Sequence, residues 1–117
     1  MKALVRVLSA GLMSGLVSVG GLVGAQSAGA DDLGFLVNVF QMNAFPFPNA
    51  DTTLAYGRSI CTRVETKMSY AELIGQVRAE LQTNEFLAGY LISQAAEELC
   101  PEQIWQLRQS AAGYKPA

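Results

Sequence analysis

The stretch AEELCPEQ, Ala96–Gln103, decides how this chain is read. A helix-forming run ends on Cys100, and Pro101 follows at once. Proline has no backbone donor and disfavours helical backbone at the residue before it, so the helix stops there. It is also well suited to stand first in a new helix. The chain contains one other cysteine, Cys61. Two cysteines in a small exported chain read as one disulfide, a common supplement to a thin core. Linking Cys61 to Cys100 closes a loop of roughly 40 residues, for which the chain-entropy model gives about 4 kcal/mol. That is comparable with the net stability of a small domain. A bridge between two chains and a pair of free thiols are the alternatives. There is no C-x-x-C motif, so thioredoxin-like chemistry is not expected.

Export is itself an expectation from the first 30 residues. Lys2 and Arg6 supply a positive start, Val7 to Val23 carry no charge, and AQSAGADD offers small residues to a signal peptidase. This is the order of a secretory signal. Ala28 and Ala30 fit the A-x-A rule and place the cut before Asp31. Cleavage after Ala25 or Ser27, and retention as an uncut anchor, are the alternatives. The apolar run is short for a span of about 20 residues and is interrupted by glycines. The twin-arginine route needs adjacent arginines and a lipoprotein needs a cysteine at the cut, and neither is present. A Sec-type signal peptide over 1–30, followed by one domain over 31–117 in the secretome or cell envelope, is therefore expected, with no stable membrane span after cleavage.

Within that domain the apolar residues recur at helical spacing, and no segment alternates as a strand would. Leu87, Leu91, Ala95 and Leu99, with Ala88, Ile92 and Ala96 beside them, lead to Cys100 on a partly buried face. Leu54, Gly57, Cys61, Val64 and Met68 share one face of an earlier helix, so Cys61 points inward. Asn49 can cap that helix. Gly57 lies on the same face, where a close helix crossing would explain it. Ser69 and Glu72 have the spacing of a capping box, and Leu73, Val77 and Leu81, with Ile74, follow as an inward stripe. A break is expected near Gln82 and Thr83.

DDLGFLVNVFQMN reads as the first helix, with Leu33, Leu36, Val37 and Phe40 on one stripe and Phe35 and Val39 making a second side apolar. Such a helix is either buried between others or meets a partner or a membrane. Pro46 and Pro48 make AFPFPNAD an extended connector, with Phe45 and Phe47 expected to fold back on the core, the alternative being that they stand exposed as a docking surface. Downstream of Pro101, PEQIWQLRQS supplies a short helix with Ile104 and Trp105 to pack, and AAGYKPA reads as a frayed tail. The fold expected is all-α, a disulfide-stapled bundle of four to five short helices.

Composition excludes more chemistry than it suggests. The chain has no histidine. Ser-His-Asp and Cys-His catalysis and thiolate–imidazole zinc sites are thereby excluded, and no calcium loop is present. Neither a metal nor a cofactor is expected, and no catalytic residue is assigned. Glu97 and Glu98 diverge on a helix and read as a solvated surface. All ten acidic residues lie beyond residue 30, while two of the eight basic ones, Lys2 and Arg6, lie before it. The resulting acidic balance, without a basic cluster, argues against nucleic acid as a partner.

The order of motifs resembles a known family. An aspartate-rich start, Asp31 and Asp32, is followed by Phe35 and Leu36, then Gly57 four residues before Cys61, then Cys100 joined to Pro101. This pattern resembles the secreted mycobacterial and actinobacterial family called domain of unknown function 732, over about Asp31 to Glu102. The resemblance implies a small, exported, helical, disulfide-linked protein and no established activity. One departure is that VETKMSYAEL lacks the glycine-bearing turn expected after the first cysteine, so a differently shaped connection is expected there.

The function expected is that of a non-enzymatic interaction module contacting an envelope or host protein through a helical surface. The alternative is a carrier of a small apolar ligand, haem or lipid, in an interhelical cleft. Phe35, Phe45, Phe47, Tyr56 or Tyr90 would line the cleft, and Tyr56, Tyr70, Tyr90, Met42 and Met68 would be the candidates to hold haem iron.

Overall fold

Five α-helices follow one another through residues 30–116, the part of the chain that the structure, a computed structural model, describes. They are α1 (Ala30–Met42), α2 (Ala50–Glu65), α3 (Tyr70–Leu81), α4 (Glu85–Gln94) and α5 (Ile104–Ala111). A π-helical turn, Ala95–Leu99, and a 3₁₀ turn, Pro101–Gln103, link α4 to α5. The described residues contain no strand, so the architecture is all-α. The expected signal segment and its cleavage site lie outside the described residues.

Local chemistry places most helix starts. Asn49 Oδ1 accepts from Thr52 N–H at 2.8 Å and caps α2. At α3 the Ser69 hydroxyl accepts from Glu72 N–H while the Glu72 carboxylate accepts from Ser69 N–H, the reciprocal box that its spacing predicts. Asn84 caps α4 through Leu87 N–H. The turn after α2 shows what replaces the missing glycine. Met68 N–H reaches the Arg63 carbonyl and Lys67 N–H the Val64 carbonyl, which together form a Schellman closure. Lys67 takes the left-handed position of that closure, with φ of 74°. The turn thus keeps the backbone a glycine would favour, with a lysine in it.

The core is built by Phe35 and Val39 of α1, Ile60 and Val64 of α2, Leu73, Ile74 and Val77 of α3, and Ala88, Leu91 and Ile92 of α4. Ala95 and Ala96 of the π-turn and Leu107 of α5 complete it. Leu54, Leu81 and Leu99 pack at its edge, and Cys100 is buried. Thr53 is also fully buried, where its hydroxyl donates to the Asn49 carbonyl at 2.7 Å.

The structure decides one question the sequence leaves open and corrects three expectations. The inward side of α1 is the Phe35–Val39 side, and Leu33, Val37 and Phe40 face out. In α5, Leu107 is buried while Trp105 is 67% exposed. The helix leading to Cys100 is not α-helical throughout: from Ala95 it widens into the π-turn, closed by Cys100 N–H on the Ala95 carbonyl at 3.2 Å. Finally, the tail is tied down. The Tyr114 ring meets Tyr70 edge-on at 5.1 Å, and its hydroxyl donates to Glu85 Oε2 at 2.8 Å.

Gly57 is where α1 presses on α2. A Cβ there would lie 2.7 Å from both Phe35 Cζ and Leu99 Cδ1, and Phe35, fully buried, has no room to retreat. Gly75, on the exposed face of α3, has nothing within 4 Å of the same position. One substitution should therefore act with opposite signs. Gly57→Ala is expected to destabilise by about 1–3 kcal/mol through overpacking, and Gly75→Ala to stabilise by about 0.5–1 kcal/mol through reduced backbone entropy in the unfolded chain. Urea midpoints of the two variants, with unchanged m, check both.

Candidate functional site

The disulfide fixes the frame on which any surface is presented. Cys61 of α2 and Cys100, between the π-turn and the 3₁₀ turn, are bonded with sulphurs 2.07 Å apart and Cα atoms 6.0 Å apart. The link is intramolecular, and among the described residues no cysteine is free. It ties the second helix to the end of the π-turn that continues the fourth, the pairing the sequence implies.

Against that frame α1 is held by one face. Asp32, almost buried in the first turn, pairs with Arg58 Nη2 of α2 at 2.5 Å. Asn38 donates to Gln94 Oε1 at 2.7 Å, and its own carbonyl accepts from the Tyr90 hydroxyl at 2.9 Å. Gly34 leaves room for the half-buried Glu98, whose carboxylate lies directly over it. Glu98 is thus not the solvated partner of Glu97 that the sequence suggests, because the missing side chain at residue 34 makes a seat for it. On the opposite side Leu33, Val37 and Phe40 are 60%, 51% and 48% exposed. No charge interrupts this outward stripe, since the only ionisable groups of α1 are Asp31 and Asp32.

A second cluster joins the connector to α2 and α3. Phe45, Phe47 and Tyr56 form an aromatic row, half-buried at the edge of the core, in which Phe45 stacks on Phe47 at a centroid spacing of 6.1 Å and Phe47 meets Tyr56 tilted at 5.4 Å. The Tyr56 hydroxyl donates to Glu80 Oε1 at 2.5 Å. Arg63 reaches the same oxygen at 3.0 Å, with its guanidinium over the Tyr56 ring. Burial raises the Tyr56 pKa, and the Glu80 hydrogen bond and charge raise it further against the opposing Arg63. Burial works to raise the Glu80 pKa too, but the hydrogen bonds from Tyr56 and Arg63 and the Arg63 charge outweigh it and hold it below the usual carboxylate value. Burial likewise raises Tyr70, while at Tyr114 the hydrogen bond to Glu85 is the main cause of the rise.

These directions set a pH dependence. A raised tyrosine stabilises the fold fully below the unfolded pKa of about 10 and loses that contribution as pH rises through its folded value. A depressed glutamate stabilises above the unfolded pKa of about 4.3 and loses its contribution as pH falls through the folded value. Stability should therefore decline above pH of about 10 and again below pH of about 4. Tyr56→Phe should flatten the alkaline limb and, with one of its hydrogen bonds gone, the Glu80 part of the acid limb. Denaturant titrations across pH, with phenolate absorbance followed in parallel, check this.

The residues expected to line a ligand cleft are not gathered. Phe35 is in the core, Phe45, Phe47 and Tyr56 pack on one another, and Tyr90 lies on the α4 side. Phe45 and Phe47 border a hollow of about 110 Å³ with Val39 and Phe40. Of the haem candidates, Tyr56 and Tyr90 have their hydroxyls engaged, and Met68 borders a different hollow, beside Trp105. Among the described residues no three acidic or cysteine side chains come together as metal ligands would, and no helix is long and apolar enough to cross a membrane. The outward stripe of α1 was present in the sequence, but which of its two apolar sides faced out was not.

A family model described as Protein of unknown function (DUF732) matches residues 30–102. No curated protein and no solved structure matches this chain.

Proposed function

The chain belongs to the DUF732 family, and on that premise we propose that it is an exported, non-enzymatic interaction module whose outward α1 face docks on an apolar surface of an envelope or host protein. The observation that carries this reading is the uncharged stripe of Leu33, Val37 and Phe40, left exposed while the other face of the same helix is fastened by ion pair, hydrogen bonds and core packing. Large apolar side chains grouped on a surface mark interaction sites more often than those scattered singly. The acidic balance favours a protein surface over anionic lipid, and the disulfide suits an oxidising compartment.

A photoreactive residue at position 37 should crosslink in living cells to a discrete protein. Leu33→Glu should abolish that adduct and leave the urea midpoint unchanged. Adducts to lipid alone, or the same adducts from exposed Ala71 on α3, would refute the reading.

A further inference from the structure

The described residues contain a second surface feature, a cleft of about 190 Å³ between the π-turn, the start of α3 and α5. Ala96, Ile104, Leu107 and Ala111 give it an apolar floor, and Tyr70, Ser93, Glu97 and Arg108 stand around it. Three of those four are donors without acceptors. Among the described residues the Tyr70 and Ser93 hydroxyls make no hydrogen bond, and Arg108 makes neither a hydrogen bond nor an ion pair. The other arginines among the described residues are paired: Arg58 with Asp32, Arg63 with Glu80 and Arg78 with Glu85. The Tyr70 hydroxyl lies over Gly89, 3.1 Å from where a Cβ would be, at the border between this cleft and a neighbouring hollow that Tyr70 and Ser93 also line. A cavity of about 150 Å³ accepts benzene, so this one has room for a ring with a substituent.

We propose that this cleft binds a small monocarboxylic acid with an apolar body of one ring or a short branched chain. The apolar body would cover Ala96, Leu107 and Ala111, and the carboxylate would take the Arg108 guanidinium with a hydroxyl from Tyr70 or Ser93. A planar guanidinium suits a carboxylate in two-point contact. Glu97 is the opposing charge, and it limits affinity and sets selectivity. An amine of the same shape would have Glu97 as its only charged partner and Arg108 against it. The site depends on α5, which lies beyond the segment that matches the family model.

The test uses the oxidised domain and benzoate as probe, with benzylamine as the cationic counterpart, followed by backbone amide shifts. Benzoate should give saturable shifts at Tyr70, Ser93, Glu97 and Arg108. Arg108→Gln, at an exposed position that spares the core, should weaken benzoate about tenfold, the loss expected of a charged hydrogen bond. Glu97→Gln should tighten benzoate about two- to threefold and weaken benzylamine, a sign reversal that a purely structural role would not produce. Absence of saturation up to the solubility of the probe, equal binding by Arg108→Gln, or tighter binding of benzylamine than of benzoate would each overturn the assignment.

Discussion

Cys61→Ala/Cys100→Ala is expected to lose about 2–5 kcal/mol, enough to leave the domain largely unfolded at 37 °C. The bridge spans 39 positions, so in the unfolded chain it removes the freedom of nearly half the domain. In the folded chain it is the covalent cross-link between α2 and the end of the π-turn, and the segment it anchors leads into α5. A small domain has little further core burial to offset such a loss. Thermal unfolding of the oxidised protein, the reduced protein and the double variant is the measurement. The last two should coincide, with a midpoint far below that of the oxidised form. Identical midpoints for all three would show that burial alone holds the bundle.

Phe35→Ala is expected to cost about 3–5 kcal/mol, while Phe40→Ala, only five residues along the same helix, should change stability by less than about 0.5 kcal/mol. Phe35 is fully buried and its ring fills the notch that Gly57 leaves in α2, so truncation opens a cavity that the neighbouring helices cannot close. Phe40 is 48% exposed and belongs to the outward stripe. Urea melts of the two variants, made in the disulfide-intact protein, decide the orientation of α1 directly. A large loss from Phe40→Ala with a small one from Phe35→Ala would mean that the helix is turned the other way and that the docking face proposed here is core.

Those two experiments also mark where sequence reading succeeds and where it stops. The staple, the Asn49 cap and the Ser69–Glu72 box were legible because each depends on residue types at short or countable spacing. The orientation of α1 was not. Leu33–Val37–Phe40 and Phe35–Val39 satisfy the same helical period, and the choice rests on distant partners: the empty volume at Gly57 and the Arg58 side chain that receives Asp32. Gly57 reads as a close crossing from its place on the inward face, but its position does not tell that an aromatic ring, rather than a second backbone, fills the space. Tyr114 sits in a stretch that reads as a frayed tail, yet its ring and hydroxyl find Tyr70 and Glu85. The acid cleft was illegible for a related reason. Its three donors come from three separate elements, and only the fold shows that none has an acceptor.

The π-turn before Cys100 carries a consequence for angular phase. An α-helix rotates its side chains by about 100° with every residue. Closing the turn from Cys100 to Ala95, one residue further back than an α-helix would, absorbs one position that would otherwise have advanced that rotation. Cys100 consequently meets the helix bearing Cys61 at an azimuth that an unbroken α-helix from Glu85 would have carried past it. The widened turn therefore behaves as a built-in one-residue insertion. Removing any single residue from 95–99 would restore a regular α-helix with the sulphur still aimed at its mate, whereas a regular α-helix that kept all five of those residues would carry it about 100° past.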